Sequence, residues 1–201
     1  MTKLKDIKFI LKLSSILFLI VFIATLLLTV CNYFTVDKIA EIEAQTADDA
    51  RRKVIANAVF KEINITEFDK SVQEEINSNN FISAHEAYVA GEFSGYCINV
   101  FEPGFGGNIN MIVGVAPDMS FTGVEIISMS ETPGLGAKAQ EKSFIDQFSN
   151  KNGVLDVVKN KKNASADQIN AISGATITSK AVVTGANKAH KIAEVLKKEA
   201  E

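Results

Sequence analysis

The segment Ser173-Gly174-Ala175-Thr176-Ile177-Thr178-Ser179 lies between a short apolar run and a strongly periodic helical stretch. Gly174 permits a tight strand-to-helix turn, and either Thr176 or Thr178 can cap the helix that follows. Such a turn also presents free backbone N–H groups and the positive end of a helix dipole, the arrangement that holds a phosphate. A phosphate carried on the Thr176 hydroxyl would place negative charge where that dipole favours it. Lys180, one turn on, is either a screening cation or an ordinary solvated lysine. A second segment, Glu131-Thr132-Pro133-Gly134-Leu135-Gly136, leaves one strand-like stretch and enters another helix. Pro133 stiffens the chain there, and the two glycines let backbone come close to a flat ligand. The same residues also make a plain connecting turn.

Other chemistries lack their residues. The chain has two cysteines, Cys31 and Cys97, in apolar and strand-like surroundings that suit small buried hydrophobes. No CxxC or Cys/His grouping offers ligands for zinc or an iron-sulfur cluster. There is no strand-to-helix G-x-G-x-x-G turn for a nicotinamide cofactor and no Ser/His/Asp or Cys/His constellation. His85, in a stretch that reads as loop, and His190, in a helix, have no partner ligands nearby in sequence. The net charge is −3 without a basic stretch, so nucleic acid is not an expected partner. Any redox chemistry must come from an organic cofactor.

At 201 residues and 47% hydrophobic content, the chain can bury one core beyond an anchor. Residues 13–31 carry no charge, and 19 helical positions reach close to the ~30 Å of a bilayer interior. The run exceeds a signal-peptide apolar core and no small-x-small site follows in Asn32-Tyr33-Phe34-Thr35, so it reads as an uncleaved transmembrane helix. Lys3, Lys5, Lys8 and Lys12 precede it, whereas Asp37, Lys38, Glu41 and Glu43 follow, which puts the N-terminus in the cytoplasm and the remainder outside. Tyr33 and Phe34 suit the outer interface.

Helical spacing of Ile39, Ile42, Ala50, Val54 and Ala58 predicts a stalk over residues 36–60, and a short helix follows at 66–76 with Thr66 and Asp69 as a weak cap. Alternating runs broken by turn signals then predict an antiparallel meander with strands at 87–92, 96–101, 109–116 and 122–128. Helices are expected to cover one face of it. After Gly136 the pattern predicts a helix over 139–148, an Asn/Lys-rich stretch to residue 166 and a short element at 154–158. In the last helix Val182, Ala186, Ala189, Ile192, Ala193 and Leu196 form one apolar stripe. The expected class is α+β.

Taken together, the Gly104-Phe105-Gly106-Gly107 turn, the ETPGLG loop and SGATITSKAVV, in this order behind one span and a meander, resemble a known family. It comprises the G subunits of Rnf-type ferredoxin:NAD oxidoreductases and, related to them, the C subunits of sodium-translocating NADH:quinone reductases. The short segment between the two motifs favours the Rnf-type assignment. The resemblance implies that a flavin transferase links FMN by a phosphoester to Thr176. It also implies that Ser173, Gly174, Ala175 and Thr178 flank the phosphate and ribityl chain, and that Glu131, Thr132, Leu135 and Gly136 meet the flavin. Many members have an acidic residue three places before the motif serine, where this chain has Asn170.

The expected organisation is a cytoplasmic N-terminus at 1–12, a transmembrane helix at 13–31, a helical stalk and entry at 32–80 and an FMN-binding domain at 81–201. The expected protein is a single-pass component of the inner (cytoplasmic) membrane with its domain on the external or periplasmic face, working among the other subunits of the complex. It would relay electrons without being the site where NADH or ferredoxin reacts. A span without charged residues leaves ion translocation to other subunits. An anchored domain whose two motifs are only turns is the alternative reading.

Overall fold

The computed structural model describes residues 2–159, 165 and 167–200; the side chains of Lys3, Lys5 and Lys8, which carry part of the topology expectation, lie outside that description. The chain divides into two compact units, Met1–Gln45 and Thr46–Glu201.

The first unit belongs to α1 (Thr2–Val54). No glycine or proline interrupts α1, so its hydrogen-bond ladder runs unbroken. Among the described residues it is the one helix long and apolar enough to cross a membrane. Large apolar side chains such as Phe18, Leu19, Phe22 and Leu28 are exposed along it. Hydroxyls in this stretch are satisfied locally: Ser15, Thr29 and Thr35 donate to the carbonyls of Leu11, Thr25 and Cys31 four residues back.

The second unit is built on a five-stranded antiparallel sheet in the order β1-β2-β3-β4-β5, an uninterrupted meander. Its strands are β1 (Val59–Glu62), β2 (Phe81–Val89), β3 (Glu92–Pro103), β4 (Asn108–Val115) and β5 (Phe121–Ser128). Two predicted strands match β4 and β5 closely, while the first half of the sheet differs. The helical reading of 36–60 ends at Val54: Asn57 takes φ 58°, and Val59–Glu62 pairs with β2. The predicted strand at 87–92 straddles the true hairpin, whose turn is Ala90 (φ 53°) and Gly91 (φ 88°). The gap expected between the strands at 87–92 and 96–101 is the start of β3, and His85, read as loop, lies inside β2.

Both faces of the sheet are covered, where one was expected. Tyr96, Ile98, Val100, Met111, Val113 and Val115 pack into the main core beneath the C-terminal helix α4 (Thr176–Ala200). On the opposite face, Cys97, Ala87 and Ile112 pack against Ala50, Val54 and Ile55 from the end of α1. Gly114 leaves room on that face: a Cβ there would overlap Thr122 Oγ1 and lie 3.1 Å from Val54 Cβ.

Cys97 is 1% exposed, and burial pushes its thiol up to about 12. It therefore cannot serve as a native labelling site for topology. In a Cys31→Ser background, we expect an aromatic disulfide reagent at pH 8 to leave Cys97 untouched until denaturant is added. Stoichiometric labelling of the native protein at a free-thiol rate would contradict this burial.

The smaller elements position the site. The predicted 66–76 helix is a 3-10 turn (Ile65–Glu67) followed by α2 (Lys70–Asn77); Asn64 caps the first by accepting from Thr66 N, and the Thr66–Asp69 cap does not form. The predicted helix at 139–148 is a 3-10 turn (Gly136–Gln140) and the single-turn α3 (Lys142–Ile145). A parallel pair, β6 (Asp156–Val158) and β7 (Gln168–Asn170), brackets the Asn/Lys-rich stretch, of which 160–164 and 166 lie outside the described residues. Two amides clamp this pair. Asn187 of α4 accepts from Leu155 N and donates to Leu155 O, both at 2.9 Å. Gln147 accepts from Asn170 N at 2.8 Å and donates to its carbonyl at 3.4 Å. They fix the strand that delivers the chain to Ser173.

Candidate functional site

From β7 the backbone turns into α4 through Ile172 to Ala175. Ala175 N donates to Ile172 O at 3.0 Å, and Gly174 supplies the left-handed step at φ 78°. The buried Ser179 locks the turn, accepting from Ile172 N and donating to Ala175 O, both at 2.9 Å. Ser179 N bonds Ala175 O, so Ala175 stands at the cap position and Thr176 is the first helical residue. Neither Thr176 nor Thr178 caps the helix, contrary to expectation. Thr178 turns inward instead, 1% exposed, and its hydroxyl donates to Glu131 Oε2 at 2.9 Å. The apolar stripe holds α4 in place: Val182, Ala186, Ala189 and Ile192 are fully buried.

Glu131 is 9% exposed and joins three distant segments. While Oε2 takes the Thr178 hydroxyl, Oε1 accepts the N–H of Phe105 at 2.7 Å and of Gly106 at 3.2 Å. All three contacts are donors, as a carboxylate requires. Downstream, Leu135 N and Ala137 N both donate to Thr132 O at 3.2 Å, and Gly134 takes φ 77°. The loop curls so that Leu135 lies over Gly174, where an added Cβ would sit 3.0 Å from Leu135 Cδ2.

These segments enclose a cavity of about 360 Å³. Its walls include eight of the nine expected site residues: Glu131, Thr132, Leu135 and Gly136 on one side, Gly174, Ala175, Thr176 and Thr178 on the other. The ninth, Ser173, faces an adjoining cavity of about 300 Å³ with Lys159, Ala171 and Ile172; Gly174 and Thr176 border both. Phe105 and Ile177 also line the first cavity and were not singled out by the sequence reading. Each sits beside a motif residue, and its signal was an aromatic or branched apolar side chain left exposed, at 69% and 56%.

The arrangement suits FMN. Phe105, Leu135 and Ile177 give an apolar rim for a flat ring, glycines leave room beside it, and the N-terminus of the 25-residue α4 offers its first N–H groups to a phosphate. Asn170 lies at the end of β7, half-buried and clamped by Gln147. Among the described residues no group of three or more His, Cys, Asp or Glu is gathered as for a metal. His190 is buried and hydrogen-bonds Met119 O through Nε2 at 2.9 Å. Burial, with the Arg51 charge adding to it, holds His85 below its ordinary range.

The class of domain is defined by comparison with known proteins: residues 104–191 match the FMN-binding domain, a stretch containing both motifs. Over 96% of its length the chain is 36% identical to the G subunit of the Na(+)-translocating ferredoxin:NAD(+) oxidoreductase complex of Acetobacterium woodii, covering 96% of that protein. It is 33% identical to the G subunit of the proton-translocating ferredoxin:NAD(+) oxidoreductase complex of Clostridium ljungdahlii, covering 94% of each chain. The chain belongs to the family of G subunits of these ion-translocating Rnf-type complexes. Its fold is shared with the crystal structure of the C subunit of the Na(+)-translocating NADH-quinone reductase from Parabacteroides distasonis, with a TM-score of 0.57 at 21% identity over 76% of this chain and 94% of that one.

Proposed function

We propose that this chain is the electron-relay G subunit of an ion-translocating ferredoxin:NAD oxidoreductase complex, with FMN held covalently on Thr176. The observation that carries the reading is the position of Thr176. It opens α4 on the border of two cavities, opposite the ETPGLG loop and within an apolar rim. Attachment replaces the Thr176 hydroxyl hydrogen with the FMN phosphoryl group, a P–O bond forming with net loss of one water relative to the free components. A flavin transferase carries out that step. The helix N-terminus and the Ser173-Gly174 backbone hold the phosphate, while Phe105, Leu135 and Ile177 orient the ring and exclude water from its face. When bound, FMN joins one-electron to two-electron carriers, which is the chemistry a relay needs.

In the same reading residues 13–31 span the membrane, and the domain that follows, whose sheet begins at β1, works on the external or periplasmic face with the other subunits of the complex. A cofactor on that face cannot be replaced from the cytoplasm, and a covalent bond prevents its loss by dilution. After co-production with a flavin transferase, the peptide from Ser173 to Lys180 is expected to gain the mass of one FMN less one water. Peptide mass mapping checks this, and an unmodified peptide under conditions that load a related protein would rule the reading out.

A further inference from the structure

Glu131 is an unusual residue to find in the wall of a cavity suited to a reducible ring. Among the described residues no lysine, arginine or histidine makes an ion pair with it, so only dipoles balance its charge. Those dipoles come from the two turn N–H groups and the Thr178 hydroxyl. Space for the carboxylate is built in by glycine, since a Cβ on Gly104 or Gly136 would meet one of its oxygens. Bracing could be done by a neutral amide; the chain instead keeps a carboxylate, 9% exposed, in the wall of the cavity that Thr176 also lines.

We propose that Glu131 sets the reduction potential of the flavin, its charge opposing the electron density the ring gains on reduction. This deepens the flavin reading above and rests on it. Charges interact more strongly in a partly dried cavity than in water, so the anion favours the oxidised cofactor and makes it a stronger reductant. Glu131 acts here as a positioning and tuning residue. Its three hydrogen bonds keep the charge at one place in the wall.

The test is spectroelectrochemical titration of the flavin-loaded, full-length protein in detergent, wild type beside Glu131→Gln. The amide retains the shape: its oxygen still accepts from Phe105 and Gly106, and its nitrogen can donate to the Thr178 hydroxyl. We expect Glu131→Gln to shift the equilibrium about tenfold toward the reduced flavin, about 30 mV upward for a two-electron couple. An unchanged or lower potential in a loaded, folded variant would overturn the proposal and leave Glu131 as a brace only. Should Glu131→Gln fail to load, Thr178→Val decides. That substitution removes one balancing dipole and leaves the charge, so a lower potential supports the proposal and an unchanged or higher one overturns it. A wild-type protein that carries no flavin after co-production would instead overturn the flavin reading itself, and this inference with it.

Discussion

Replacing Thr176 with alanine is expected to remove the covalent flavin completely while leaving the fold standing. Thr176 is the first residue of α4, and its hydroxyl makes no hydrogen bond among the described residues. The cap position belongs to Ala175, whose carbonyl already takes Ser179 N. Alanine at the first helical residue therefore costs within about 0.5 kcal/mol, against a domain stability of about 5–15. Thr178→Ala should behave in the opposite way. Its hydroxyl is buried on Glu131, and losing it leaves a buried acceptor short of one donor, at a cost of about 1–3 kcal/mol. Flavin should stay attached, because the attachment oxygen is untouched. In-gel flavin fluorescence beside thermal melting by circular dichroism separates the two. Fluorescence kept in Thr176→Ala and lost in Thr178→Ala would move the attachment site to Thr178.

That dissociation depends on a detail the sequence did not contain. Both threonines precede the apolar stripe of α4 by a spacing that suits capping, and only the turn geometry leaves one half-buried in the cavity wall and buries the other on Glu131. The helix itself was legible because its apolar stripe runs from Val182 to Leu196 without proline. So were β4 and β5, whose bounding turns carry Pro103 to Gly107 and Pro117 to Ser120. The first hairpin was misread because its turn places an alanine, Ala90, in the left-handed region, while the conspicuous Gly95 is not a turn residue at all. Gly95 sits in β3 at φ 133°, opposite Ala87 and next to a register shift, where any side chain would meet the Val115 carbonyl. Local punctuation looks the same in both cases, and the difference is set by a strand 20 residues away in sequence.

The site shows the same division between local and distant causes. Motif residues that meet the cavity through their own turns could be named from sequence, since glycine, proline and threonine report backbone needs locally. The role of Glu131 could not, because its partners Gly106, Phe105 and Thr178 lie 25, 26 and 47 residues away. A glutamate in a loop reads as a ligand contact or a solvated charge; three converging donors make it a brace as well. The covering of the second sheet face was hidden for a related reason, since Gly114 reads as a weak strand residue until Val54 arrives above it.

Gly136→Ala is the substitution that tests this brace most severely, and it is expected to destabilise the domain and to impair flavin loading together. A Cβ at this position would lie 2.5 Å from Glu131 Oε2 and 2.8 Å from both Glu131 Cβ and Thr178 Oγ1. Two of those atoms are the ends of one hydrogen bond, so relieving the overlap breaks it. The carboxylate cannot swing clear without losing more, because Oε1 is held by the N–H groups of the 105–106 turn. Overpacking costs about 1–3 kcal/mol and the unsatisfied buried oxygen about as much again. The whole effect should therefore exceed that of Thr178→Ala in a thermal melt. Loading should fall because relieving the overlap displaces the ETPGLG loop itself from the cavity wall, which loss of the Thr178 hydroxyl alone does not do. Gly134→Ala is the control: nothing lies within 4 Å of its added Cβ, and only the left-handed backbone at φ 77° is strained, at about 1–2 kcal/mol. It should melt somewhat lower and still take flavin. If Gly136→Ala melts like the wild type, the tight enclosure of Glu131 against Gly136 and Thr178 does not exist in solution.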